Sequence, residues 1–393
     1  MITIYLQFTI FALILLGIIF YHKHSLLIAT GGTVMLLCFT VAASYLQLIP
    51  SFSVIGHVYE HGHLLINIFA LLLGFTLLAK LFETSGAVSY IHMVLPNHWI
   101  GAFLLLLIIF LLSAILDNIA CAILGVVTAK IIFKDKLHLG YLVAIVGASN
   151  AGGAGSVIGD TTTTMLWISG IPPLELAKAF LPAFVALFIF GLPLSYKQYY
   201  YQAMSFNLSD KQSFKLKNIL GVAFCIVCIF IANLWDLPGL GLWMGLGLCA
   251  IFISLQWSLL KDSYKEASFL CLLIISATVL PTNFLPPPTV MSTLLVGVLS
   301  AFFDNIPLTS IAIKQGIQDW GLLSFSLGFG GSMMWFGSSA GVAVSSLLPE
   351  AKNSLRWMLY GSLLFIAFLV GCAIYLIVFG FEATHVSTYG VIQ

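Results

Sequence analysis

The sequence predicts an all-α polytopic membrane protein made of two inverted repeats, each with a re-entrant hairpin and a broken transmembrane helix. Three observations carry that reading. Of 393 residues, 61% are hydrophobic and 7% charged, with a mean hydropathy of +1.09. A soluble domain carries roughly a quarter charged residues, so this chain cannot clothe itself in a water-compatible surface. Apolar runs of spanning length recur along it, about 20 residues being needed to cross a bilayer. Finally, two features occur twice: an Asp-Asn pair inside an apolar run, and a glycine-rich stretch downstream of each pair.

Taken in order, the chain opens on an apolar run from Ile2 to Phe20 with no basic residues before it. That pattern reads as a first membrane helix rather than a cleaved leader. Further spans are expected near 26–48, 64–82, 141–168, 173–193, 219–234, 239–258, 268–285, 322–346 and 357–379. The stretches 100–133 and 288–314 differ, because each carries its Asp-Asn pair mid-run, as Ser113-Ala-Ile-Leu-Asp117-Asn118 and Ser300-Ala-Phe-Phe-Asp304-Asn305. An ionised carboxylate halfway along a lipid-facing helix is expensive. A re-entrant hairpin with the pair at its tip, inside a protein-lined cavity, avoids that cost.

Each half then holds three spans, a hairpin, a glycine-broken span and a final span. Five crossings per half is odd, so the halves must be inverted, an arrangement typical of secondary transporters with a midplane site. The first repeat is expected over 1–194, with hairpin 100–133 and broken helix 141–168. A cytoplasmic linker covers 195–218, and the second repeat covers 219–393, with hairpin 288–314 and broken helix 322–346. This threading puts thirteen of the fifteen Lys and Arg residues on one side, leaving Lys178 and Lys314 on the other. The positive-inside rule makes the populated side cytoplasmic and turns both termini outward. A bacterial inner membrane is the expected location.

Several classes of function are excluded. A net charge of +1 offers no basic patch for nucleic acid. No phosphate loop of the form G-x-x-x-x-G-K-[ST] is present, which disfavours ATP-driven transport. Nothing points to an enzyme or a cofactor. Seven scattered cysteines make no disulfide framework, and Cys225-x-x-Cys228 has only Val, Ile and Phe for neighbours, so it reads as two residues of a buried helix.

The candidate chemistry lies at the breaks. In Asn150-Ala-Gly-Gly-Ala-Gly-Ser-Val-Ile-Gly-Asp160-Thr-Thr-Thr-Thr164, each interior glycine weakens a helix by about 1 kcal/mol relative to alanine. Asp160, Thr161, Thr162 and Thr163 then open a second half-helix, as caps whose oxygens also face the gap. The matching stretch of the second half, Gly330 to Gly341, places Ser338 and Ser339 where the first has Asp160 and Thr161. Asp117 and Asp304 can cap the second hairpin arms with Asn118 and Asn305 beside them. Capping alone would be met by Ser or Thr without the desolvation cost of a carboxylate. Asp117, Asp160 and Asp304 are expected to converge near the midplane with no Lys or Arg at that depth. An oxygen-rich acidic pocket suits a small hard cation, with Na⁺ expected at these three carboxylates, or a proton. A carboxylate that holds either a proton or a sodium ion, never both, is the minimum machinery for exchange.

Glu83, beside Lys80 at the end of the third span, is a candidate gate. His57, Glu60, His61 and His63 are expected in an outer loop, where their spacing matches no strong metal motif. Asp236, ahead of Pro238-Gly239, reads as a turn. The expected partners are membrane lipid and small inorganic ions, and the sequence leaves a homodimer open.

These residues resemble the NhaD-type sodium/proton antiporters, within the larger ion-transporter group that also holds arsenite permeases and citrate or dicarboxylate carriers. The matching pieces are Asp117-Asn118, Ser149-Asn150-Ala-Gly-Gly, Gly159-Asp160-Thr-Thr-Thr-Thr164-Met-Leu-Trp167, Asp304-Asn305-Ile-Pro307, and Gly330-Gly-Ser through Gly337-Ser-Ser-Ala-Gly341. The resemblance implies two re-entrant hairpins, two broken helices and an elevator-like carrier domain. It also implies that Asp117, Asp160, Thr162, Thr163, Asp304, Asn305 and Ser338 contribute to ion binding or proton exchange. The first hairpin departs from the second in reading Asn118-Ile-Ala-Cys121, without a proline like Pro307. Dicarboxylate carriers of the group have Ser-Asn-Thr at both hairpin tips. This chain does not, which favours cation exchange over anion symport, the alternative reading.

The charge bias generates a test of orientation. On a cysteine-free background, a cysteine replacing Ser209 is expected to resist an impermeant thiol reagent in intact cells, while one replacing Ser387 reacts. Labelling at 209 from outside overturns the orientation.

Overall fold

The computed structural model describes residues 2–21, 24–50, 52–86, 90, 95–205, 214–235 and 237–385. The linker residues 206–213, the expected turn at Asp236, and the terminal residues that include Ser387 lie outside them.

The chain is an all-α bundle. The first three helices are α1 (Ile2–Phe20), α2 (Ser25–Tyr45) and α3 (Val54–Glu83). After them come α4 (Trp99–Ser113), α5 (Asn118–Ile132), α6 (Leu139–Gly153), α7 (Thr161–Ile168), the short α8 (Pro173–Ala177) and α9 (Phe180–Tyr201). The second half begins with α10 (Leu216–Asn233), α11 (Pro238–Ala250) and α12 (Leu260–Val279). It ends with α13 (Val290–Ser300), α14 (Asn305–Gln315), α15 (Trp320–Gly330), α16 (Ser339–Leu347) and α17 (Ser354–Phe379). Five helical stretches among the described residues are long and apolar enough to cross a membrane: Ser25–Tyr45, Gly62–Glu83, Pro173–Tyr201, Leu216–Asn233 and Ser354–Phe379. The remaining apolar helices are shorter, six of them between 10 and 17 residues, because the chain breaks at polar or glycine-rich points.

One expectation is corrected. The stretch holding His57, Glu60, His61 and His63 is not a loop but the first turns of α3. Ser53 caps that helix by accepting from the Gly56 N–H at 3.2 Å, and no proline interrupts the following 30 residues. Polarity alone suggested a loop; a capped helix can carry polar turns beyond the apolar core of a bilayer. His63 sits one turn before Asn67, whose amide lies 3.4 Å from its Nε2. The side chains of His57, Glu60 and His61 lie outside the described residues. The other departure from an all-helical chain is a two-residue pairing of β1 (Ile317–Gln318) with β2 (Thr384–His385), antiparallel, beyond the left-handed cap Gly316 of α14.

Packing sorts the helices into two sets. In the first, α1 packs on α2, α12 on α2 and α3, and α10 and α11 on each other and on α3. In the second, α6 and α15 are central: α4, α5, α9 and α17 cover α6, and α13 and α17 cover α15. Every residue of α6 from Gly140 to Gly153, and every residue of α15, is buried. The sets meet where α12 touches α14 and α3 touches α7, and Lys314 of α14 reaches across to the carbonyls of Thr278 and Leu280 at the end of α12. A cation placed on the free carbonyls of a helix C-terminus satisfies groups that the bilayer would leave unpaired.

The second set contains one succession of elements twice. An arm, a break and a second arm (α4–α5, α13–α14) lead to a buried helix that stops at paired glycines and restarts from a polar cap (α6–α7, α15–α16). Ser113 and Ser300, each four residues ahead of its Asp, bind alike: Ser113 donates to Ser149 O at 2.6 Å and Ser300 to Leu327 O at 2.8 Å. Close backbone approach follows. A Cβ on Gly152 would lie 2.0 Å from Phe110 O, and one on Gly330 would lie 2.2 Å from Gly297 O. Such overpacking against a carbonyl costs about 1–3 kcal/mol or more. Gly152→Ala and Gly330→Ala are therefore expected to lower the thermal midpoint of the purified protein by several degrees. Gly31→Ala, where nothing stands within 4 Å, should leave it unchanged or slightly raised. Equal midpoints for all three would contradict this packing.

Candidate functional site

The breaks meet in the middle of the second set. Asp160 is the N-cap of α7, accepting from the Thr162 N–H at 3.3 Å, and only 3% of it is exposed. The unwound chain before it, Ala154 to Gly159, needs partners for its backbone groups, and neighbouring threonines provide them. Thr163 bonds the carbonyls of Ser156 and Asp160, and Thr164 those of Val157 and Asp160. The last two threonines of the run therefore sit here for a local reason: the hydroxyls of Thr163 and Thr164 reach carbonyls of the unwound stretch, those of Ser156 and Val157.

Both arm–break–arm units send an asparagine to the same carboxylate. Asn118 Nδ2 donates to Asp160 Oδ1 at 3.3 Å, and Asn305 Nδ2 donates to Asp160 Oδ2 at 3.4 Å. Asn118 also donates to Asn150 Oδ1 at 3.1 Å, while its backbone N–H reaches Gly159 O at 2.9 Å. Asn150, near the end of α6, donates in turn to Ser332 Oγ at 3.0 Å and Ser338 Oγ at 2.9 Å. Ser338 caps α16 through the Gly341 N–H. Residues from 118 to 338 thus form one buried polar hub. Thr162 Oγ1, fully enclosed beside Asp160, has no hydrogen-bond partner among the described residues.

Asp117 and Asp304 occupy matching places one step outside the hub. Asp117 accepts from the Ile119 N–H and Asp304 from the Ile306 N–H, both at 3.1 Å, in near-identical backbone conformations. Capping is real at both. Unlike Asp160, both line a cavity of about 780 Å³, with Ser339, which also hydrogen-bonds Asp304. Aromatic rings of Phe302, Phe303, Trp335 and Phe336 form much of its wall, and Lys80 and Glu83 stand on its rim as a pair at 2.8 Å. Thr161 is buried at the first position of α7 without a place in the hub's bonding described above.

The sequence reading overlooked two residues. Ser332 holds Asn150, but a lone serine in a Gly-Gly-Ser string gives no such signal. Asp319 is buried, caps α15 through the Leu322 N–H, and accepts from Tyr375 Oη at 2.7 Å and the Glu382 N–H at 2.9 Å. Its place directly ahead of the apolar run from Trp320 was the available clue. Cys225 faces Cys249 of α11, their free thiols in a hydrogen bond at 3.9 Å, in keeping with a structural role.

A multi-pass helical membrane protein with broken helices and a buried oxygen-rich hub belongs to the class of transporters. Comparison with known proteins narrows this. No family model matches the chain. It is 31% identical over 294 residues to sodium/proton antiporter 1 of Arabidopsis thaliana, a match spanning 62% of this chain and about half (49%) of that one. It is 30% identical over 324 residues to sodium/proton antiporter 2 of the same plant, covering 69% of this chain and 75% of that one. Against the Na⁺/H⁺ antiporter NhaD of Alkalimonas amylolytica, identity is 26% over 340 residues, with 71% and 68% covered. The chain belongs to the NhaD-type sodium/proton antiporter family.

Thr162 yields a test of the hub. Thr162→Val keeps the shape and removes an oxygen that has no partner, so it is expected to change folding stability by less than about 0.5 kcal/mol. Ser338→Ala strips a cap and a partner of Asn150, and should cost about 1 kcal/mol or more. Denaturation of the purified variants measures both; a large loss in Thr162→Val would show that its hydroxyl is bonded.

Proposed function

We propose that the chain exchanges Na⁺ for H⁺ by competition of the two cations at buried carboxylates. The observation that carries this is the setting of Asp160: a carboxylate enclosed in the hub that accepts from two neutral amides and from backbone N–H groups of α7, beside a hydroxyl that has no partner among the described residues. Neutral donors orient the charge without cancelling it, so a single cation is still required. A proton on the carboxylate removes the charge that would hold sodium; sodium among its oxygens favours the ionised form and so disfavours the proton. Moving the empty, charged hub across the membrane is costly, since a buried uncompensated charge is penalised by several kcal/mol. Occupation by one cation or the other lowers that cost, and coupling follows.

In this reading Asp160 and Thr162, with Asn118, Asn150, Asn305, Thr163 and Ser338, form the ion site. Asp117, Asp304 and Ser339 receive cations from the vestibule, where Thr161 caps the approach and Glu83 gates the rim. The arm–break–arm units α4–α5 and α13–α14 are re-entrant hairpins, and residues 1–194 and 219–393 are inverted repeats. The first packing set serves as a scaffold and the second as the moving carrier. The linker 195–218 and the vestibule mouth face the cytoplasm, both termini face outward, and the membrane is a bacterial inner membrane. The oxygens of Asp160 and Thr162, and the absence among the described residues of a Lys or Arg in the hub's bonding, support a small cation over an anion.

The test is Asp160→Asn, with Asp117→Asn and Asp304→Asn beside it, in everted vesicles. Asparagine caps a helix about as well as aspartate but cannot exchange a proton in this pH range or offer a charged oxygen. Sodium-driven proton movement is expected to be lost in Asp160→Asn, by at least about 100-fold, with the protein inserted and folded. It should be weakened in the other two through the sodium requirement. Normal exchange by Asp160→Asn at wild-type sodium affinity defeats the mechanism. Uptake of citrate or arsenite by the wild type in proteoliposomes, without sodium–proton exchange, would establish the anion reading instead.

A further inference from the structure

We propose that His138 is a cytoplasmic pH switch that holds α6, and through it Asn150, in register only while its imidazole is neutral. The site already described does not use this residue. It lies at the other end of α6, twelve residues before Asn150 of the hub, along a rod that is buried from Gly140 to Gly153.

The geometry fixes the tautomer. His138 is the N-cap of α6, and its Nδ1 accepts from the Gly140 N–H at 3.0 Å. Nδ1 therefore carries no proton. The proton of the neutral ring sits on Nε2, 3.3 Å from Tyr360 Oη on α17, and donates to it. An imidazolium carries a proton on both nitrogens, which would point N–H against N–H at Gly140 and remove the cap. The positive end of the α6 dipole opposes that charge as well.

The groups around the ring point the same way. From α9, Lys197 stacks its ammonium 4.6 Å over the Tyr360 ring, and Tyr201 places its own ring 5.5 Å from the imidazole. Gln198 accepts from the His138 N–H at 2.7 Å and donates to Lys136 O at 3.0 Å, which anchors the backbone while the ring stays free to respond. From α17 the facing group is Tyr360. Partial burial of the ring, and after it the charge of Lys197, hold the imidazole below its ordinary range; among the described residues Lys197 is the charged group acting on it. The fit is close: a Cβ on Gly140 would lie 3.1 Å from both His138 Nδ1 and Tyr360. The ring is nonetheless only half-buried, so protons from the adjoining water reach it.

The sign follows from the lowered value. The neutral cap is present at and above neutral pH and is lost as pH falls through the depressed value. Loss of the cap frees the first turn of α6, whose last turn holds Asn150 against Asn118, Ser332 and Ser338. Resting on the exchange reading, the switch has a clear use. An exchanger that brings protons into the cytoplasm is turned down as that compartment acidifies.

The experiment separates this switch from proton competition at the ion site. Maximal rate at saturating Na⁺ is measured against pH in everted vesicles, where the cytoplasmic face meets the buffer; saturating sodium removes competition. His138→Asn keeps a side-chain acceptor for Gly140 and cannot titrate. Its acid-side fall in maximal rate is expected to move at least about one pH unit lower than wild type, with the alkaline plateau within about twofold. His138→Ala, with no cap at any pH, should show a plateau lowered several-fold throughout. Superimposable profiles for wild type and His138→Asn overturn the proposal. Hydrogen exchange over 137–146 in the purified protein provides an arm independent of the transported ion. Protection of the first turn should weaken on acidification in wild type relative to His138→Asn at the same pH, and equal protection also overturns the proposal. If wild-type vesicles show no sodium–proton exchange at all, the functional reading fails and hydrogen exchange still decides the switch.

Discussion

A carboxylate enclosed in protein within a bilayer is the constraint on which the rest of this structure depends. Asp160 cannot stay ionised there without donors, and helices alone supply none, since their N–H groups are consumed internally except in the first turn. The chain responds by breaking a helix so that its second half begins at Asp160 and offers an N–H from its free end. It brings two asparagine amides from elements 42 and 145 residues away. Those amides can arrive only if the elements carrying them also stop at that depth, which is why α4–α5 and α13–α14 break where they do. Contact between broken elements requires backbones to approach more closely than side chains permit, hence glycine at 152 and 330. Three unusual features of the fold reduce to one electrostatic requirement.

Much of this was legible in the sequence because each feature costs something that only the site repays. Carboxylates in apolar runs, glycines in a helix interior and polar caps at matching positions are locally unfavourable, so their joint recurrence identifies the breaks. The spacing from Ser113 to Asp117 and from Ser300 to Asp304 was visible too, although the carbonyls these serines bind were not. What remained hidden depends on tertiary placement. Ser332 matters because Asn150 arrives from 182 residues away, and Asp319 because Tyr375 and the chain near Glu382 fold back over it. The start of α3 was misread since polarity signals loop and exposed helix alike; the signal for a helix was the Ser53 cap, not the composition.

The two halves are alike in scaffolding and unlike in charge. Asp117 and Asp304 share conformation, capping bond and cavity, yet where the first half has Asp160 the second has Ser338. A second enclosed carboxylate facing the first would repel it and demand a further counter-charge. With one carboxylate, a single monovalent cation brings the hub to neutrality. Serine in the second half keeps the cap and the hydrogen bond to Asn150 while adding no charge.

The choice of asparagine at both breaks, in Asn118 and Asn305, follows from the same requirement. A lysine or arginine there would hold Asp160 permanently in a salt bridge, which would rule out the proposed competition of proton and sodium for it. A serine could donate but would reach less far. An amide donates to the carboxylate without neutralising it, and its other end is an oxygen that a cation can use when the side chain turns over. Asn150 already shows both ends of this versatility in its setting. The Asn118 nitrogen serves Asp160 and Asn150, while the Asn150 side chain accepts on one end and donates to two hydroxyls of the other half on the other. The hub is therefore built almost wholly from groups whose polarity can be reversed by rotation, around one group whose charge can be removed by a proton. In the exchange proposed above, that combination lets the same cage satisfy an empty, a protonated and an ion-filled carboxylate without rearranging the helices that carry it.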